Sequence, residues 1–173
     1  MISRNDEARI VERHFLESLT PAYWLKERGI TRWIDFGSGA GLPAIPLALA
    51  GVGGQWTLVE ARRTKALFLR KVIENLELEG FEIIHDRLQS LLDEPARHQA
   101  FEGFTSRATL KLGPTLQLAA DLIAPGGAAF LWKGSGREEE LAHDDRWREA
   151  WDLDGLLGVG SGLIVVARFT RKS

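Results

Sequence analysis

The pentapeptide Arg32-Trp-Ile-Asp-Phe36 consists of strand-forming residues and runs straight into glycines at alternating positions, Gly37, Gly39 and Gly41; a helix-forming stretch, Leu42–Ala50, follows. A strand that turns at once into a helix through glycine is the opening unit of a parallel α/β sheet. The alternation continues. Gln55–Glu60 reads as strand, and Thr64–Leu78 as helix, with apolar residues at Ala66, Leu69, Val72, Ile73 and Leu76. Phe81–His85, Phe101–Ser106 and Ala128–Lys133 read as strands, separated by helices at Leu88–Leu92 and Pro114–Ile123; a charged helix is expected at Glu138–Arg148. The last two strands, Ala150–Leu157 and Leu163–Phe169, are joined by a short glycine-rich turn. Parallel neighbours would need a crossover of roughly a dozen residues, so this pair must be a hairpin. The expectation is a Rossmann-like α/β domain whose seven-stranded, mostly parallel sheet ends in a C-terminal antiparallel hairpin. Two helical pieces, Asn5–Leu19 and Pro21–Arg28, precede it. The chain therefore reads as one domain, residues 1–30 as helical lead-in and residues 31–173 as sheet.

In such a sheet, ligands bind at the carboxyl ends of the strands, near the first crossover. Glycines there let backbone approach a ligand, and the helix that follows offers free N–H groups. The dinucleotide fingerprint G-x-G-x-x-G fails here because Leu42 stands at its third glycine, and a phosphate loop would need G-K-[ST]. The spacing G-x-G-x-G, with Asp35 before it, resembles the cofactor loop of class I S-adenosylmethionine-dependent methyltransferases. Glu60, 19 residues after Gly41, ends the second strand, where its carboxylate could hydrogen-bond ribose hydroxyls.

Composition narrows the chemistry. The chain contains no cysteine, which excludes disulfides, thiolate metal sites and cysteine nucleophiles. No metal site is expected. His14 and Glu17, three residues apart, share a helix face and could serve as ligands or a proton relay, or could simply pack the helix on the sheet. The first twenty residues are laced with charge, and no run reaches the roughly 18 apolar residues of a spanning helix. A cytoplasmic protein without membrane contact is expected, as a monomer.

The run Asp35-Phe-Gly-Ser-Gly-Ala-Gly-Leu-Pro-Ala-Ile-Pro-Leu47 resembles the hallmark segment of the RsmG (GidB) family, methyltransferases of guanine N7 in small-subunit ribosomal RNA. Four further stretches agree in order: Ile2-Ser-Arg-Asn-Asp6 with Glu12–Leu19, Leu58-Val-Glu60 with Lys65–Leu69, Thr105-Ser-Arg-Ala108, and Lys133-Gly134. There are departures. The family usually carries a further helical segment before the Ser3-Arg4 region, Ala44 replaces a usual glycine, and Gln89 stands where glutamate is common. The resemblance implies S-adenosylmethionine as cofactor and 16S ribosomal RNA or the small ribosomal subunit as partner. It implies cofactor contacts from Gly37, Leu42, Leu88, Gln89 and Arg107. With the residues read from the loop and the second strand end, the expected cofactor set becomes Asp35, Gly37, Ser38, Gly39, Gly41, Leu42, Glu60, Ala61, Leu88, Gln89 and Arg107. Arg107 is the expected catalytic-site residue, positioning either the guanine O6 or the cofactor carboxylate. No general base is expected, because guanine N7 carries a lone pair and no proton. A non-catalytic cofactor- or RNA-binding module, or a small-molecule methyltransferase, are the alternatives.

A net charge of −2 argues against RNA only as an average. Residues 138–154 carry eight acidic and two basic side chains, which leaves the remainder at +4. Arg13, Arg62, Lys111, Lys133 and Arg137 are the RNA-facing candidates, with Lys133 alternatively paired to a carboxylate such as Asp121. Trp24 could stack on a base, although core packing is the ordinary role of each of the six tryptophans.

Overall fold

The computed structural model describes residues 14–107, 109–159 and 164–173. Two short helices, α1 (Glu17–Leu19) and α2 (Ala22–Lys26), lead into β1 (Arg32–Phe36). Then follow α3 (Ala44–Leu49), β2 (Gln55–Val59), α4 (Arg63–Asn75), β3 (Phe81–Ile84), α5 (Leu88–Leu91), β4 (Phe101–Arg107), α6 (Leu112–Leu122), β5 (Ile123–Lys133), α7 (Arg137–His143), β6 (Trp151–Val159) and β7 (Ile164–Arg171). The seven strands form one sheet in the order β3-β2-β1-β4-β5-β7-β6. β1 to β5 are mutually parallel, and β7 lies antiparallel between β5 and β6. The hairpin is antiparallel, as its short link requires, and it returns its second strand into the sheet, leaving β6 at the edge.

Each face of the sheet carries its own core. On one, α5 and α6 cover Ile34, Phe104, Leu131, Trp151 and Phe169. On the other, α2, α3 and α4 cover Trp33, Trp56, Leu58, Phe130 and Val166. Trp33 and Trp56 stack with centroids 5.0 Å apart and planes 8° from parallel. Trp33 also lies flat against Gly103, where a Cβ would sit 2.2 Å from its ring, so β4 needs glycine at that position. Trp147 and Trp151 are fully buried. Trp24 packs beside Gly155 and carries the Arg168 guanidinium 4.8 Å from its ring centroid, against the hairpin and away from the strand tips. That placement gives Trp24 the packing role expected of each tryptophan rather than base stacking.

Three of the element boundaries that differ from the sequence expectation trace to specific contacts. β5 begins at Ile123, directly after α6, because Ile123 already pairs with Phe101; the ladder shifts around Pro125-Gly126-Gly127 and resumes at Ala128. α6 begins at Leu112 rather than Pro114, since the Leu112 N–H finds a partner in the Glu140 carboxylate at 2.7 Å. The charged helix stops at His143. Asp144 leaves the helix at φ −143°, and its carboxylate accepts from the Arg146 backbone N–H and guanidinium and from Gln117. A 3-10 turn, Arg146–Glu149, then leads to β6. Among the described residues no helix is long and apolar enough to cross a membrane.

Candidate active site

The glycine loop is held by the strand beside it. The N–H groups of Gly37 and Ser38 both donate to the Val59 carbonyl, at 2.9 and 3.2 Å. Gly37, Gly39 and Gly41 all have positive φ, between +57° and +87°, which is why this turn takes glycine. The space around them differs. A Cβ on Gly37 would meet the Thr109 methyl group and one on Gly41 would meet Ile45, so both are packing glycines. A Cβ on Gly39 would meet no heavy atom closer than 3.6 Å. Gly39 is therefore the least crowded of the three, its Cβ position in ordinary contact with Gly37 O and with Lys65 Nζ at 3.8 Å.

Glu60 closes the other side. Its side chain is 5% exposed, and both oxygens are oriented by backbone: Oε2 accepts from Gly39 N–H at 2.9 Å and Oε1 from Arg62 N–H at 2.8 Å. A carboxylate held this way keeps lone pairs for further donors. Asp35, at the tip of β1, is fully buried. Its Oδ1 accepts from Thr105 Oγ1 at 2.6 Å on the neighbouring strand, and its Oδ2 has no hydrogen-bond partner among the described residues. Burial raises the Asp35 carboxyl to about 7, with the Thr105 hydrogen bond opposing the rise and the negative charge of Glu60 adding to it.

The other expected cofactor positions are distributed unevenly. Ser38 is buried and donates Oγ–H to the Asp35 carbonyl at 3.0 Å. Leu42 is half-buried beyond the loop, and Ala61 is exposed after Glu60. Leu88 turns fully into the core, leaving exposed Gln89 as the outward side chain of α5. The start of α5 is held by Asp86, whose carboxylate accepts from Arg87 N–H at 2.7 Å and Ser90 Oγ at 2.9 Å. These donors hold Asp86 below the usual carboxylate range.

Arg107 ends β4, but its guanidinium is turned into the lead-in. Nη2 meets Glu17 Oε2 at 2.7 Å and His14 Nδ1 at 3.2 Å; Nη1 meets the His14 carbonyl at 3.0 Å and Ser18 Oγ at 3.2 Å. The Trp132 indole N–H, at the tip of β5, donates to the Glu17 carbonyl at 2.9 Å. His14 and Glu17 thus tie the lead-in to the strand tips. Among the described residues no group of three His, Asp or Glu side chains could hold a metal ion.

Of the RNA-facing candidates, Arg62 and Lys111 are exposed. Lys133 is committed: Nζ lies 2.9 Å from Glu140 Oε2 and 2.7 Å from the Leu110 carbonyl. Its carboxylate partner is Glu140, not Asp121, because α7 folds back over the tip of β5 and brings Glu140 there. Arg137 leans toward Gly134 and Glu138, and Arg13 lies outside the described residues. Thr105, Thr109 and Glu140 were not singled out from sequence. Thr105 was visible only as part of the stretch Thr105-Ser-Arg-Ala108, and Glu140 was lost within an acidic run that reads as solvated surface.

Comparison with known proteins agrees with this architecture. A methyltransferase of Aquifex aeolicus described as S-adenosylmethionine-dependent superposes with a TM-score of 0.68 at 15% identity, over 100% of both chains. MtNAS, solved in complex with S-adenosylmethionine, gives 0.70 at 18% identity over 94% of this chain and 63% of that one. These likenesses establish the fold. In sequence, the chain is 31% identical over 158 residues to the ribosomal RNA small subunit methyltransferase G of Dictyoglomus thermophilum, covering 91% of this chain and 63% of the relative. It is 37% identical over 142 residues to that of Chloroflexus aggregans, covering 82% and 59%. The chain spans about three fifths of the length of these curated relatives. Residues 1–153 match the family described as GidB, rRNA small subunit methyltransferase G, and the chain belongs to that family.

Proposed function

We propose that this chain binds S-adenosylmethionine at the glycine loop and directs methyl transfer to N7 of a guanine in 16S ribosomal RNA of the small subunit, as a monomeric cytoplasmic enzyme of one domain. The reading rests on Glu60, which is buried at the tip of β2, is locked to the Gly39 N–H, and stands beside the least crowded of the three loop glycines. The residues present fit the cofactor. Glu60 would take the ribose hydroxyls, and Gly39 would let the backbone approach. Asp35 would lie beneath the loop with a carboxyl oxygen, Oδ2, that has no partner among the described residues. Ser38, Gly37, Gly41, Leu42, Ala61, Leu88 and Gln89 complete the neighbourhood of the loop and of the β3 exit.

When bound, S-adenosylmethionine supplies a methyl carbon already activated by a sulfonium leaving group. The chain's contribution is alignment and exclusion of water. No residue needs to take a proton, because guanine N7 offers a lone pair. Arg107 would act by fixing the wall made by the lead-in across the tips of β4 and β5, through Glu17, His14 and Ser18. Exposed Arg62 and Lys111 are the side chains best placed to meet phosphate, with Lys133, Arg137 and Arg13 as further candidates.

The test is incubation with methyl-labelled S-adenosylmethionine and small subunits lacking the modification. Label in 16S RNA at guanine N7 supports the proposal. Cofactor binding by calorimetry without transfer to RNA supports a non-catalytic module, and transfer to small molecules alone supports the third reading.

A further inference from the structure

At the carboxyl ends of β4 and β5 a cleft of about 390 Å³ opens, bounded by Arg107, Thr109, Leu110, Trp132, Lys133 and Glu140. It adjoins the glycine loop, since the Thr109 methyl group packs against Gly37. From the tip of β1 to the tip of β5 is two strand spacings, roughly 10 Å, the scale of a purine laid across the strand ends. The wall farthest from the loop is the Lys133–Glu140 pair, 2.9 Å apart and only 11% and 26% exposed. Glu140 is fixed there through Oε2, which also accepts the Leu112 N–H. Its Oε1 makes no hydrogen bond among the described residues.

The pair has a chemistry that suits one base. Guanine presents O6, N1–H and the 2-amino group along its Watson–Crick edge, an acceptor followed by two donors. An ammonium meets O6, and a carboxylate accepts from N1–H and the amino group. Adenine places an amino group against the ammonium and a bare N1 against the carboxylate, so both contacts turn repulsive. N7 lies on the adjacent edge of the purine, beside O6. A guanine whose Watson–Crick edge meets this wall therefore keeps N7 out of the contact, free on the O6 side. Bases taken out of a stack are read in this way, by hydrogen bonds to the Watson–Crick edge. Resting on the guanine-N7 function proposed above, we infer that Glu140 and Lys133 are the guanine-selecting pair of this site. Glu140 reads N1–H and the 2-amino group, and Lys133 reads O6.

The test uses the full chain and small subunits rebuilt on 16S RNA ligated to carry guanosine or inosine at the modified position, mapped first with the wild type. Inosine lacks only the 2-amino group. The wild type is expected to prefer guanosine over inosine in kcat/KM by about tenfold, the scale of one good base contact. Glu140→Gln is expected to abolish most of that preference. The ratio is insensitive to general losses from weakened capping of α6. Lys133→Gln is expected to slow both substrates and keep the preference, because both bases carry O6. Should Glu140→Gln fail to fold, Lys133→Gln decides: loss of the preference there overturns the assignment. A Glu140→Gln protein with the wild-type preference overturns it, as does a wild type that methylates guanosine and inosine equally. A wild type that methylates no guanine defeats the proposed function itself and removes the pair's ligand with it.

Discussion

Replacing Asp35 by asparagine isolates one buried charge. The carboxyl sits at about 7 in the folded chain against 3.8 for an exposed aspartate, chiefly because burial withdraws water from its charged form. The folded state therefore holds this proton more tightly than the unfolded state. Between the two values stability must fall as pH rises, and above about 7 it levels off. Three units at 1.36 kcal/mol each come to about 4 kcal/mol over the full interval. Between pH 5 and pH 8 the group loses about 2.5 kcal/mol. Other carboxylates run the opposite way. Glu82, held down by Arg97, and Glu102, held down by the Thr31 backbone, add stability as pH rises through their lowered range. Total stability is thus a poor readout, and the difference between wild type and Asp35→Asn is the right one. Urea denaturation of both proteins at several pH values is expected to show the asparagine variant gaining on the wild type by about 2.5 kcal/mol from pH 5 to pH 8. For a chain of this size that corresponds to about 5–10 °C in Tm. A difference that stays flat with pH would mean that Asp35 titrates alike in the folded and unfolded states, and that burial does not raise it.

Other outcomes follow from single contacts. Gly103→Ala drives a Cβ into Trp33, which cannot swing aside because it stacks on Trp56; denaturation should show a loss of about 2–3 kcal/mol. Glu17→Gln removes a charged acceptor from a guanidinium that is only 13% exposed and should cost about 2 kcal/mol, while the double variant Glu17→Gln/Arg107→Met should cost less than the sum of the single changes. Glu60→Gln trades one oriented oxygen for an amide, and titration calorimetry should show cofactor affinity weakened about tenfold with the fold retained.

The parts of the fold legible in the sequence were those whose determinants lie side by side. Arg32–Phe36 followed by three spaced glycines forms a strand and a loop whatever packs on them, and the brief link between the last two strands allows only a hairpin. Glu60 was legible for the same reason, as an acid at the end of an apolar strand. What was hidden depends on residues far apart in the chain. Arg107 finds its partners about ninety residues earlier, so spacing marked it as a strand-tip arginine without saying which way its guanidinium turns. Lys133 looked able to pair with any carboxylate near the sheet, and only the fold-back of α7 selects Glu140. The early start of β5 and the broken acidic helix likewise reflect tertiary partners, Phe101 and Gln117, that override local glycine and helix propensities.

The chemistry of an N7-methylated guanine lets the proposed transfer be read directly. N7-methylguanosine becomes labile to reduction and is then cleaved by aniline. Unmodified small subunits treated with this protein and S-adenosylmethionine should yield one new scission in 16S RNA, absent without cofactor and absent with Glu60→Ala. Scission that never appears, while the wild-type protein binds the cofactor, would rule out guanine-N7 transfer by this chain.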